Sequence, residues 1–169
     1  RGFAQNLGAQ LGGLLGGLFS RLIISLGRRL APLARERPVA LAFSLGCAVA
    51  VIGWCSGGLS YGTGYRQAYD LLMTDQAPHQ LLFPIYKLLA TLLSYLTGVP
   101  GGIFSPSLST GAGLGADLGE LLPNVPMAAM IILGMVGYFT GVTQAPMTGA
   151  VIARAAVATW NRRNPEQPM

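Results

Sequence analysis

Four long stretches of this chain carry no charged side chain, and this placement of charge constrains the fold more than any other feature. The stretches are residues 2–20, 38–65, 88–116 and 121–153. Each is close to or longer than the roughly 20 residues that cross a hydrocarbon core as a helix. Charged residues make up only 10% of the chain, against about 25% in soluble domains. The sequence therefore predicts an all-α membrane protein.

Glycine and proline divide the uncharged stretches into helices. The first helix is predicted from about Ala4 to Leu30, with Pro32 in the connection that follows it. Further helices are predicted at approximately Pro38–Gly53, Arg66–Met73, His79–Thr97, Ile103 or Phe104 to Leu122 and Met127–Gly141, and a last helix is predicted after Pro146. Several are too short for a full span, and broken helices occur at membrane depth where their backbone is buried or lines a cavity.

A basic segment follows the first apolar stretch. Its five arginines are opposed only by Glu36 and are Arg21, Arg28, Arg29, Arg35 and Arg37. These arginines lie in or beside one short predicted loop after the first apolar segment, within residues 21–37, and the excess of positive charge predicts that this loop is cytoplasmic. The net charge of +5 is thus explained by topology, and no nucleic-acid partner is expected.

The first helix carries glycine at every fourth position, at Gly8, Gly12 and Gly16. Small residues at this spacing let two membrane helices approach closely. Two interpretations stay open, namely a contact with another helix of the same chain and a dimer seam.

Few side chains here could support catalysis or bind a metal. The chain has one histidine, His79, and its two cysteines, Cys47 and Cys55, have a spacing that fits no zinc or redox motif. Asp117 and Glu120 lie late in a predicted helix, where solvated or capping roles are favoured over proton transfer. We expect no enzyme activity, no metal and no cofactor.

Lys87 lies in the middle of a predicted apolar helix. A lysine at membrane depth is costly and faces the interior of a bundle or an aqueous cavity. It could attract anions, or it could extend to a headgroup or bond to loop carbonyls.

The segment that carries chemistry is Gly98–Leu108, with the sequence G-V-P-G-G-I-F-S-P-S-L. Gly101 and Gly102 allow close approach to the backbone, and Pro106 falls in the first turn of the following helix, where a missing N–H costs no helical bond. The unpaired amides of that turn and the positive end of the helix dipole favour an anion. We predict an anion site at Gly101, Gly102, Ile103 and Phe104, with Pro106 at the helix start.

This motif resembles the G-G-x-F-x-P signature of the CLC family of chloride channels and chloride/proton antiporters. Three further stretches are similar to the second repeat of that family: Leu11–Ile23, Ser56–Gly64 and Gly134–Thr148. Lys87 stands where members often carry a basic residue. The resemblance covers residues 8–152, almost the whole chain.

The resemblance implies a CLC-type bundle of tilted and broken helices containing one partial repeat. It also implies that the amides of Ile103 and Phe104 bind chloride, that the complete protein is a homodimer, and that it is a multi-pass protein of a bacterial inner membrane. The family's G-S-G-I-P and G-R-E-G-P motifs do not occur in this sequence. We therefore expect a piece of a longer protein that does not conduct alone.

The sequence departs from the family after Ala153, where arginine and alanines replace an apolar run and a glutamate. We accordingly predict a partial transmembrane domain over residues 1–153 and a divergent polar tail over 154–169. The departure leaves a second function open, that of an accessory membrane segment that transports nothing.

Overall fold

A computed structural model describes residues 2–73, 82–98, 101–121, 126–163 and 165–166, with side chains from residue 8 onward except that of Met73. These residues form seven α-helices and no strand: α1 Gly2–Glu36, α2 Pro38–Cys55, α3 Tyr65–Met73, α4 Phe83–Leu96, α5 Phe104–Leu121, α6 Met127–Thr143 and α7 Pro146–Arg163. The predicted all-α class is confirmed. The predicted helix start at His79 and the predicted end at Leu122 lie outside the described residues.

Helix α6 lies at the centre of the bundle, between α1 and α5. On the α1 side the contact is between backbones. A Cβ at Gly12 would meet the backbone of Gly134 and Tyr138, and one at Gly16 would meet the backbone of Tyr138. The repeat Gly8–Gly16 therefore forms a contact within the chain, as the first of its two interpretations predicted.

A second close backbone contact at glycine residues joins α5 to α6. Gly111 lies against the backbone of Gly134 and Met135, while Gly115 lies against that of Met130 and Ile131. Glycine inside a helix costs about 1 kcal/mol relative to alanine. In this bundle the cost is offset because the two backbones can pack without intervening side chains.

Two apolar clusters fill the space around α6. One joins Phe19 of α1, Leu92 of α4, and Tyr138 and Val142 of α6. The other joins Ala68 of α3, Ala112 and Ala116 of α5, and Ile131 of α6. The rings of Phe19 and Tyr138 lie 6.0 Å apart between centroids. Together the clusters join α3 and α5 to α6, and they join α4 to the bundle through α1 and α5.

The prediction that the first helix ends near Leu30 was wrong. Helix α1 continues through Pro32 to Glu36, and the amide of Arg37 still donates to the carbonyl of Leu33 at 2.9 Å. Proline removes one helical bond, here near the end of a helix, and the residues after it are good helix formers. The predicted loop over residues 21–37 is for the same reason helical, and only Arg37 separates α1 from α2.

Two described helices, Gly8–Glu36 and Pro38–Cys55, are long and apolar enough to cross a membrane. Phe83–Leu96 and Met127–Thr143 are apolar but shorter. At the other end of the chain, α7 runs past Arg154 to Arg163. The proposed boundary between residues 153 and 154 therefore falls inside a helix and stays a prediction.

Candidate anion site at the start of helix 5

The first turn of α5 presents backbone amides without helical partners. The first bond that anchors the turn runs from the amide of Ser107 to the carbonyl of Ile103, at 3.0 Å. Ile103 is thus the residue flanking the helix, and Pro106, its third residue, has no N–H to leave unpaired. Among the described residues, the amides of Ile103, Phe104 and Ser105 donate to no other group. Three N–H groups and the positive end of the helix dipole therefore meet at one place.

Gly102 keeps the space in front of these amides open. A Cβ built on Gly102 meets no atom within 4 Å, and its φ lies outside the left-handed region. Both Gly101 and Gly102 are exposed. At Gly102, the glycine therefore serves to leave space and is not required by the backbone conformation. A side chain at this position would therefore meet no protein atom at its Cβ.

The start of α5 opens on a cavity of about 700 Å³. Residues 101–106 form one wall, and α4 forms another. The remaining walls are the loop at residues 60–63 and the α2 residues Gly46 and Val49. The predicted site residues Gly101, Gly102, Ile103, Phe104 and Pro106 all line this cavity.

The loop that faces α5 is shaped by glycine. Four of its glycines, Gly57, Gly58, Gly62 and Gly64, have φ values between 62° and 88°, a region that other residues rarely adopt. Ser56 fixes the start of the loop, since its hydroxyl donates to the carbonyl of Gly53 at 3.0 Å. The sequence placed this segment between two predicted helices and showed its similarity to the CLC family, but its role as a cavity wall was missed.

Lys87 binds this loop. Its ammonium donates to the carbonyl of Ser60 at 3.0 Å and to that of Gly62 at 2.6 Å, and the residue is 1% exposed. Of the interpretations left open by the sequence, the structure supports bonding to loop carbonyls. Lys87 still lines the cavity, so its charge contributes to the potential there.

Two further contacts fix the start of α5. The hydroxyl of Ser105 donates to the carbonyl of Thr63 at 3.4 Å, which joins the helix to the loop. The ring of Phe104 meets that of Phe139 on α6 edge to face, with centroids 4.8 Å apart. Sequence reasoning did not identify Ser105, Thr63 or Phe139, because each contact joins segments distant in the chain.

The chemistry that this arrangement supports is binding by neutral donors. Among the described residues no group of three histidine, cysteine or acidic side chains could hold a metal ion. Cys47 and Cys55 are both exposed and unbonded to each other, and Asp117 lies half-buried outside the cavity wall. Fold and site together define a helical membrane protein in which a helix N-terminus opens on a cavity, an arrangement whose free amides and dipole favour an anion.

Comparison with known proteins agrees with this class. Residues 6–161 match the family described as voltage gated chloride channel. The chain is 31% identical over 156 residues to the H(+)/Cl(-) exchange transporter ClcA of Vibrio vulnificus, an alignment covering 82% of this chain and 33% of that protein. It is 36% identical over 74 residues to the voltage-gated ClC-type chloride channel ClcB of Yersinia pestis, covering 40% of this chain and 18% of that protein. No solved structure matches the chain.

The chain belongs to the voltage gated chloride channel family, as the motif at Gly101–Pro106 predicted. It spans about a third of the length of the ClcA relative that it matches. The relatives are named as transporters and channels and not as enzymes.

Proposed function

We propose that this chain takes part in moving chloride or a similar anion across a membrane, as part of a CLC-type channel or chloride/proton antiporter. The anion is held by the backbone amides of Ile103 and Phe104. The observation that carries the proposal is that the backbone amides in the first turn of α5 have no hydrogen-bond acceptor among the residues that the structure describes. The residues of this turn line the cavity together with Gly102.

Amides suit transport because they are neutral. Partial charges at a helix N-terminus sum to roughly half an elementary charge, enough to replace part of an anion's hydration shell. A transport site must also release its ion. A site made of dipoles binds an anion less tightly than a full positive charge in direct contact would, and it therefore permits faster turnover. Lys87 uses two of its three donors on loop carbonyls, which leaves the amides as the principal ligands.

The relatives supply the substrate class. One is named as a proton/chloride exchanger and another as a chloride channel, so chloride is the proposed anion and both modes of movement remain within the proposal. Because those proteins extend well beyond the matched segment, we propose that α5 supplies one wall of the site and that other parts of the full-length protein complete it.

We also propose a homodimer, embedded in a bacterial inner membrane, with the basic end of α1 on its cytoplasmic side.

Uptake of radiolabelled chloride into liposomes tests the proposal, using the full-length protein that carries this chain. Gly102→Val adds a branched side chain beside the amides, at a position where a built Cβ meets no protein atom, and we expect it to abolish uptake while the protein remains folded. Gly27→Val is the matched control, because Gly27 also has no atom within 4 Å of a built Cβ but lies on α1, away from the cavity. It should transport normally.

Two results would contradict the proposal. Unchanged uptake by the Gly102→Val variant would remove the amides of α5 from the pathway. An absence of uptake by the folded, unmutated full-length protein would instead support the alternative of an accessory membrane segment that transports nothing.

A further inference from the structure

The basic segment of the chain is a helical extension with a defined outer face. Helix α1 packs its glycine repeat on α6 and then continues without a break through residues 21–36. The five arginines are all exposed: Arg21, Arg28, Arg29, Arg35 and Arg37. Within the described ranges none of them forms an ion pair or a side-chain hydrogen bond. The extension therefore presents positive charge that the rest of the described chain does not neutralise.

The arginines are arranged in a stripe. Arg21, Arg28 and Arg35 are seven residues apart, which places them within about 40° of one another around a helix of 3.6 residues per turn. The opposite side of the same helix carries Ile23 and Leu26, which pack on the cluster around Phe19 and Tyr138. Since that side faces the bundle, the arginine stripe faces away from it.

The position of α2 places this stripe near a membrane surface. Helix α2 is apolar and long enough to cross a membrane, and it begins at Pro38, one residue after Arg37. The junction of α1 and α2 therefore lies where the hydrocarbon core meets the headgroups. Arg35 is two residues from Arg37, or about 3 Å along a helix, and long arginine side chains beside a membrane extend toward the headgroup layer.

We propose that this stripe binds the phosphate groups of anionic lipids. Arginine offers a planar set of donors that matches phosphate oxygens, and basic residues beside a membrane-spanning helix are attracted to anionic headgroups. Charge complementarity favours this occupant, because five arginines stand against one carboxylate, Glu36. The stripe would hold bound anionic lipid along one face of the α1–α2 end of the bundle.

Lipid retention measured by native mass spectrometry tests the proposal. The full-length protein that carries this chain is titrated in neutral detergent with phosphatidylglycerol, and in parallel with phosphatidylcholine of the same chain length. We expect a preference for phosphatidylglycerol that weakens in high salt. The triple variant Arg21→Gln, Arg28→Gln and Arg35→Gln removes the whole stripe, and it should lower the phosphatidylglycerol affinity at least about tenfold and leave phosphatidylcholine binding unchanged.

Helix α7 offers a control with the same loss of charge. Arg154, Arg162 and Arg163 are also exposed, and replacing all three with glutamine should change the phosphatidylglycerol affinity less than about twofold, the effect of a distant charge screened by salt. Equal losses in the two triple variants, or no preference for phosphatidylglycerol in the unmutated protein, would overturn the proposal. Tighter binding of soluble polyglutamate than of phosphatidylglycerol would overturn it in favour of an acidic protein partner.

Discussion

The ammonium of Lys87 donates to the carbonyl of Gly62 at 2.6 Å, a contact that joins the interior of α4 to a loop 25 residues earlier in the chain. A second bond from the same ammonium reaches the carbonyl of Ser60. The next residue of that loop, Thr63, accepts the hydroxyl of Ser105 at the start of α5. Lys87 therefore positions the wall of the cavity that faces the proposed anion site.

Lys87→Met should destabilise the fold. The carbonyl of Ser60, a buried residue, would lose its donor, and an unsatisfied buried polar group costs about 1–3 kcal/mol. We expect the free energy of unfolding in detergent to fall by an amount in this range. Arg154→Met is the control, since it removes a charge from an exposed position on α7 and should leave stability within about 0.5 kcal/mol. Equal effects of the two substitutions would show that the loop contacts of Lys87 contribute nothing.

Two glycines of the loop allow backbone strain to be separated from a steric clash. Gly57 has a φ of 62° and open space around a built Cβ, so Gly57→Ala should cost only the strain of about 1–2 kcal/mol. Gly64 has a φ of 78°, and a Cβ there would also meet the side chains of Ser109 and Lys87. Gly64→Ala should therefore lower the unfolding midpoint more than Gly57→Ala. Adding Ser109→Ala should recover part of the difference, and a double variant no more stable than Gly64→Ala alone would argue against the clash.

The start of α5 was predictable from sequence because its signals are local. Gly101, Gly102 and Pro106 stand within six residues and act on one helical turn, so their meaning does not depend on the rest of the fold. The end of α1 was not predictable in this way. Proline usually breaks a helix. Near a helix end, however, it removes only one hydrogen bond, and the helix-forming residues around Pro32 offset that cost, so α1 continues through it.

The remaining parts of the site depend on tertiary contacts. The sequence left the role of Lys87 open because a lysine in an apolar helix can satisfy its donors in several ways, and only the folded loop provides the carbonyls of Ser60 and Gly62. Likewise, the repeat Gly8–Gly16 predicted a close helix contact but not its partner, since Gly134 and Tyr138 lie far away along the chain.

Neighbouring glycines of α1 should differ sharply in their tolerance of alanine. A Cβ at Gly16 would meet the backbone of Tyr138 and Val142, whereas the nearest atom to a Cβ at Gly17 is the side-chain nitrogen of Gln144 at 3.9 Å. Overpacking against backbone costs about 1–3 kcal/mol, so Gly16→Ala should destabilise the protein by that amount. Gly17→Ala, the matched control, should be neutral or slightly stabilising. Thermal unfolding in detergent measures both, and similar midpoints would contradict the α1–α6 packing.

The amide of Phe104 can be tested without changing a side chain. Incorporating the α-hydroxy acid that corresponds to phenylalanine at position 104 replaces this N–H, which donates to no described group, with an ester oxygen. Loss of a hydrogen bond to a charged ligand costs about 1.5–3 kcal/mol, so we expect the chloride concentration for half-maximal transport to rise at least about tenfold. Val39 provides the matched control, because its amide also belongs to the first turn of a helix, after Pro38, but it does not line the cavity. The ester at position 39 should leave the chloride dependence unchanged, and equal shifts at the two positions would mean that the amide of Phe104 is not a ligand.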